Sequence, residues 1–320
     1  MKEIEVWKFI DDSLEKNIAV GLMLVTESAG SSPGRQGFKM AINRKGEMQG
    51  SIGGGIMEHK LVEMMKSSLA KTKVSTQLKK QVHRKDEPLN QSGMICSGEQ
   101  TVLLLPVSFK DHDCIKEIIQ YLVNKETASL TIDPQGLSLK PNIHNPQPFN
   151  YNQESETDWI YQENLGYKYK LFIVGGGHVS LALSELLKSL DFYITVIDDR
   201  PQLNTLENNT FADQKIYCKY EEVEQHLPPG KENFVLLMTY GYRDDNMVLR
   251  KIIHRDYGYL GMMGSKEKVR QIFEGMDHDG FDPQLKERVH APIGIQIKSK
   301  TPQEIAVSIA AEIVEVKNSV

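Results

Sequence analysis

Residues 173–183, IVGGGHVSLAL, place Gly175, Gly177 and Ser180 between an apolar run and an amphipathic one, and Asp198 follows 23 residues after Gly175. This is the order of a dinucleotide fingerprint: strand, G-x-G-x-x-G/A turn, helix, second strand, acid. Gly175 permits the tight turn, and Gly177 lets a phosphate approach the backbone. The helix N-terminus adds unpaired N–H groups and a positive dipole. Ser180, small but not glycine, occupies the third position. His178 sits within the turn, where its imidazole either touches a bound anion or bonds to the backbone of the first helical turn. Arg200, directly after Asp198 and Asp199, either meets a second phosphate or merely pairs with those acids on the surface.

Two further glycine-rich stretches lie near the front. GSSPGRQG, residues 30–37, carries Arg35, a planar donor suited to phosphate. GSIGGGIME, residues 50–58, sets Gly53, Gly54 and Gly55 before a helix that starts near Ile56, with Glu58 in its first turn. Backbone amides in such loops nest around phosphate or pterin oxygens, while the plain alternative is a pair of hairpin turns needing positive φ. Two of them side by side favour a site. No G-K-[ST] follows either, which excludes a P-loop. MICSGEQ, residues 94–100, puts Cys96 in a Ser/Gly turn, where a thiol serves as a soft-metal or sulfur contact or as a small buried residue.

The elements that must position these residues read in two styles. The first 18 residues pattern as an amphipathic helix through Ile4, Trp7, Ile10 and Leu14. Strands are expected at 19–27, 38–43 and 101–107, with helices from Ile56 and over 111–124. Met57, Leu61, Met64 and Met65 are expected to face a core. Residues 141–158 are rich in Pro, Asn and Gln, which marks a boundary. From residue 170 strands alternate with helices, the pattern of a parallel sheet covered on both faces. The last helix opens with Thr301-Pro302-Gln303-Glu304, a capping box. We therefore expect an α/β protein: a separate N-terminal α+β domain over 1–140, a linker over 141–168, and a C-terminal Rossmann-like doubly wound parallel sheet over 169–320.

Composition narrows the function classes. The chain is 40% hydrophobic and 25% charged with a net charge of −5, so nothing global favours nucleic acid. The basic run 71–85 reads as a strand with a solvated face, or less readily as a dock for an anionic ligand or acidic partner. No apolar run approaches membrane-spanning length and the charged N-terminus lacks a signal-peptide core, so a cytoplasmic location is expected. Three cysteines without a CxxC pair argue against a disulfide framework or thiolate zinc site.

Taken together, GSSPGRQG, GSIGGGIME, Cys96-Ser97-Gly98, VGGGHVSLAL, IDDRP (197–201), MTYGYRDD (238–245), YLGMMGSKEK (259–268) and HAPIGIQIKSKTPQEIAVSIAAEI (290–313) resemble the XdhC/CoxI family. The resemblance spans nearly the whole chain outside the expected linker. That family comprises accessory proteins of xanthine dehydrogenase and related molybdenum hydroxylases. It implies a chaperone that binds the molybdenum cofactor (molybdopterin), supports its sulfuration with a cysteine desulfurase, and inserts it into the apo-hydroxylase. It also implies self-association, with a dimer expected, and Cys96 as the molybdenum or sulfur contact. Three positions depart from the family pattern: Ile56 stands where some relatives carry a cysteine, Ser97 where many have glycine, and Tyr240 where relatives have histidine. A competing expectation from the fingerprint alone is an NAD(H)-dependent oxidoreductase whose front domain binds substrate. A third is a nucleotide-sensing scaffold.

Overall fold

Strand β1 (Val20–Ala29) runs through the middle of the first sheet, and its alternation explains the layers on either side. Val20, Leu22 and Leu24 enter one core, Met23 and Val25 the other, as a period of two requires. The sheet is antiparallel, in the order β3 (Met48–Gly50), β2 (Lys39–Asn43), β1, β5 (Glu99–Val107), β4 (Gln77–Val82). Helices α1 (Glu3–Glu15) and α3 (His112–Asn124) close one core through Trp7, Ile10, Ile115 and Ile118. Helix α2 (Gly55–Leu69) closes the other with Met57, Leu61 and Met65. Met64, expected in that core, is 39% exposed, because its position on α2 turns it away from the sheet. The computed structural model describes residues 3–71, 75–82, 98–141 and 147–319.

The expected linker is instead partly strand. β8 (Phe149–Gln153) and β9 (Trp159–Leu165) join β6 (Ala128–Asp133) and β7 (Gly136–Pro141) in a four-stranded antiparallel sheet, order β7-β6-β9-β8, and belong to the first compact unit, Met1–Gly166. Within the polar run, β8 is an edge strand with no buried residue; β9, which follows the run, alternates inward Trp159, Tyr161, Glu163 and Leu165 with half-buried residues.

The second unit, Tyr167–Val320, is built on a six-stranded parallel sheet. Its order is β12 (Gln214–Tyr217), β11 (Phe192–Asp198), β10 (Tyr169–Val174), β13 (Gly230–Leu237), β14 (Tyr257–Met262), β15 (Val289–His290). In sequence order this reads 3-2-1-4-5-6, the Rossmann arrangement, with the reversal between β10 and β13. Helices α4 (His178–Lys188) and α9 (Pro302–Ser319) cover one face through Leu183, Leu187, Ile309 and Ile313; α5 (Asn204–Glu207) is a single turn beside α4. On the other face, α6 (Tyr242–Ile252) and α7 (Lys266–His278) contribute Leu249, Ile252, Ile272 and Met276, and α8 (Pro283–Glu287) leads to β15. The doubly wound sheet and the α+β front unit are thus both present. The capping box forms as read: the Glu304 amide donates to Thr301 Oγ1 at 3.2 Å, and the Thr301 amide to Glu304 Oε2 at 3.0 Å. No described helix is long and apolar enough to cross a membrane.

Candidate functional site

The glycine turn lies where the sheet reverses direction, the place at which open parallel sheets bind ligands. Gly175 has φ +116°, and a Cβ there would stand 2.2 Å from the Met238 carbonyl oxygen, so only glycine lets the turn pass the end of β13. Gly177 caps α4, and nothing stands within 4 Å of where its Cβ would be: the backbone faces open space. His178 is exposed at the first position of that helix. Ser180 is buried, its small side chain admitting α4 close to the sheet.

Asp198, at the end of β11, has no exposed surface. Its Oδ2 accepts the Gly176 amide at 2.7 Å and Arg200 Nη2 at 2.8 Å. Its Oδ1 accepts the Arg200 amide at 2.9 Å and Arg200 Nε at 2.8 Å. Burial alone pushes the carboxyl upward. Arg200 and the two amides outweigh it and hold the group below its ordinary value. Of the two readings of Arg200, the structure takes the pairing one, although the acid it pairs with is a buried one.

Residues that the sequence did not single out brace the neighbouring loops. Asp245, in the first turn of α6 and fully buried, accepts from the Thr239 amide at 3.0 Å and Thr239 Oγ1 at 2.7 Å, and pairs with Lys268 of α7. This joins the loop after β13 to the first turn of α7. Glu312 of α9 accepts the Gly294 amide at 2.7 Å and contacts Tyr259 and His290, fastening the segment after β15. The visible signal for Asp245 was an acid pair in a first helical turn, MTYGYRDD, which by itself reads as ordinary dipole compensation.

In the first unit the glycine loops meet. A Cβ on Gly53 would lie 2.6 Å from the Gly34 nitrogen, one on Gly34 2.2 Å from the Ile52 carbonyl oxygen, and one on Gly98 2.5 Å from the Ser32 nitrogen. These glycines therefore let backbone pack on backbone. Gln100, 1% exposed, ties them together: its Oε1 accepts Ser32 Oγ at 2.6 Å and the Gly34 amide at 3.1 Å. Gly53, Gly54 and Gly55 all have positive φ. The nest they help form is filled from within the chain, for Glu58 Oε2 accepts the Ile52 amide at 2.9 Å, the Gly54 amide at 3.0 Å and Ser51 Oγ at 2.7 Å. Arg35 is exposed and donates to the Gly30 carbonyl at 3.0 Å, and Ile56 is 58% exposed. Cys96 and Ser97 lie outside the described residues. Lys39, just past the first loop, is buried and donates to Gly37 O at 3.2 Å and Glu163 Oε2 at 2.8 Å, with Glu3 at 2.8 Å and Tyr161 closing the cluster.

A doubly wound sheet carrying a dinucleotide-type glycine turn, preceded by an α+β unit in which three glycine segments converge, defines a two-unit protein with a C-terminal Rossmann domain. Comparison with known proteins gives the family. Residues 171–313 match the XdhC Rossmann domain and residues 13–78 match the XdhC and CoxI family. The chain belongs to the XdhC/CoxI family. It is 24% identical over 308 residues to the uncharacterized protein YqeB of Escherichia coli K12, covering 95% of this chain but only 45% of YqeB. It is 21% identical to a probable xanthine dehydrogenase subunit of Bacillus subtilis strain 168, over 97% of each. A crystal structure described as a xanthine dehydrogenase from Bacillus halodurans shares the fold at a TM-score of 0.74 and 22% identity, covering 100% of this chain and 96% of that one.

Proposed function

We propose that this chain is an accessory protein of a xanthine dehydrogenase-type molybdenum hydroxylase. In this reading it holds the molybdenum cofactor, protects it while a cysteine desulfurase supports its sulfuration, and delivers it to the apo-enzyme. One observation carries the proposal: three carboxylates set into the second unit, Asp198, Asp245 and Glu312, are committed to protein partners. Asp198 is paired with Arg200, Asp245 with Lys268, and Glu312 with Tyr259 and His290. A general acid or base needs a proton-exchanging atom that faces its substrate. These carboxylates face protein donors instead, an arrangement suited to holding a ligand.

The chemistry of the cargo fits one of the two glycine regions. A pterin phosphate suits the open backbone before Gly177 and the N-terminus of α4. It does not suit the amides of Ile52 and Gly54, where Glu58 already supplies the negative charge. When bound, the cofactor supplies the redox centre of the hydroxylase; the residues of this chain hold it and give it up. Family membership in both units, and relatives whose names refer to xanthine dehydrogenase, support the partner. A self-associating, cytoplasmic protein goes with the same reading.

The test is anaerobic incubation of the full chain with molybdenum cofactor, desalting, and fluorescence detection of the oxidised pterin, followed by activation of apo-xanthine dehydrogenase. Retention with transfer is expected. A chain that emerges from desalting without pterin would sink the proposal.

A further inference from the structure

The fingerprint acid of a dinucleotide fold works by accepting hydrogen bonds from ligand ribose hydroxyls. An ionised carboxylate offers about four lone-pair positions. At Asp198 four protein donors already meet them, the Gly176 amide and three groups of Arg200, all between 2.7 and 2.9 Å. The acid is fully buried, whereas 40% of the Arg200 side chain is exposed. Its guanidinium lies 6.0 Å from the ring centroid of Tyr240, which follows β13 and is 91% exposed. A ribose arriving at the end of β11 therefore meets a guanidinium, which has donors and no acceptor, where a dinucleotide site presents a carboxylate.

We infer that Arg200 is the specificity determinant of this crevice: it withholds Asp198 from a ribose diol, so that the glycine turn takes a phosphate monoester of pterin type and refuses the adenosine half of NAD(H). The identity of the accepted ligand rests on the function proposed above; the refusal of NAD(H) does not. Binding a ribose through Asp198 requires the two side-chain bonds from Arg200 to break first, and both are charge-assisted. Replacing Arg200 leaves the acid with the Gly176 amide and its own residue-200 amide, and frees two acceptor positions toward the crevice.

NADH and NADPH are titrated by nicotinamide fluorescence into the full chain as wild type, Arg200→Gln, Arg200→Lys and Arg200→Gln/Asp198→Asn, with folding checked by thermal melt. Wild type is expected to bind both weakly. Arg200→Gln should gain roughly tenfold or more in NADH affinity, the scale of a net hydrogen bond to a charged acceptor, and the double variant should lose that gain. Arg200→Lys keeps a counter-charge for the buried acid but gives up the fork. It should gain in the same direction and keeps the test alive if the Gln variant does not fold. Tight NADH binding by wild type, or folded Arg200 variants with unchanged NADH affinity, overturns the inference. So does wild-type preference for NADPH that Arg200→Gln abolishes, because Arg200 would then be reading a ribose phosphate. Cofactor retention measured on the same samples separates the two claims: its failure in wild type removes the proposed function and leaves the NADH result standing.

Discussion

Glu58 reaches back from the first turn of α2 so that one carboxylate oxygen sits 3.0 Å from the amide of Gly54, the residue that caps the same helix. The chain thus supplies its own anion to a nest that would otherwise attract one. Glu58→Ala should cost about 1–3 kcal/mol, the usual loss when buried or half-buried donors are left without an acceptor. It should also create a new sensitivity: inorganic phosphate should raise the melting temperature of the variant more than that of wild type. Equal stabilisation of both proteins would mean that Glu58 does not fill the nest in solution.

Gly34 and Gly54 are glycines for different reasons, and alanine substitution separates them. At Gly34 a Cβ meets the Ile52 carbonyl oxygen at 2.2 Å and Gln100 Oε1 at 2.7 Å, so the two loops must part. At Gly54 the space is open, and only the φ of +75° opposes a side chain. Gly54→Ala should cost roughly 1–3 kcal/mol, because φ +75° with ψ −174° is a backbone region that only glycine occupies readily. Gly34→Ala should cost clearly more, on the scale of overpacking plus a broken hydrogen bond. Urea unfolding of the two variants ranks them, and the reverse order would mean that the loop contact is soft.

The same contrast explains how far the sequence could be read. The fingerprint was legible because each residue of it has a local requirement: Gly175 a positive φ, Ser180 a small volume, Asp198 the end of a strand. Gly34, Gly53 and Gly98 serve contacts between segments far apart in the chain, so their glycine content resembled a phosphate loop when much of it is backbone packing. Arg200 was ambiguous for the same reason, since two plausible partners lay next to it and only the fold buries one of them. Glu163 was invisible because an inward acid on β9 makes that strand look like polar linker, and its partner Lys39 lies 124 residues away.

That buried cluster should give the first unit a distinctive pH response. Burial pushes the Glu163 carboxyl up to about 7; Lys39 opposes the shift and Glu3 adds to it. The folded chain then keeps a proton that an unfolded glutamate releases near about 4.3. The stability contributed by this group is therefore complete below about 4.3 and lost as pH rises toward about 7. Lys39, its pKa raised because the two acids outweigh burial, contributes stability below the ordinary lysine range that is lost only at strongly alkaline pH. Glu163→Gln should flatten the decline between pH 5 and 7.5 in urea unfolding. Lys39→Met, which leaves the buried Glu163 and the partly exposed Glu3 without their shared counter-charge, should steepen it. An unchanged slope in both variants would show that the cluster titrates as one unit outside this range.

Asp245 and Lys268 test whether the carboxyl edge of the parallel sheet is braced by charge. Asp245→Asn keeps an acceptor for the Thr239 amide but turns a second donor toward the ammonium, while Lys268→Met leaves a buried carboxylate with only the two Thr239 donors. Each single variant should cost about 3–5 kcal/mol if the pair behaves as a buried one, and somewhat less because 20% of Lys268 is exposed. The double variant should be more stable than the sum predicts, by on the order of 0.5–3 kcal/mol, since neither charge is then left unpaired. Amide hydrogen exchange over residues 239–244 should quicken in both single variants, because the loop after β13 loses its anchor to α7. Strict additivity would mean that Lys268 is held by the Met263 carbonyl, 3.1 Å away, and that Asp245 serves the Thr239 loop alone.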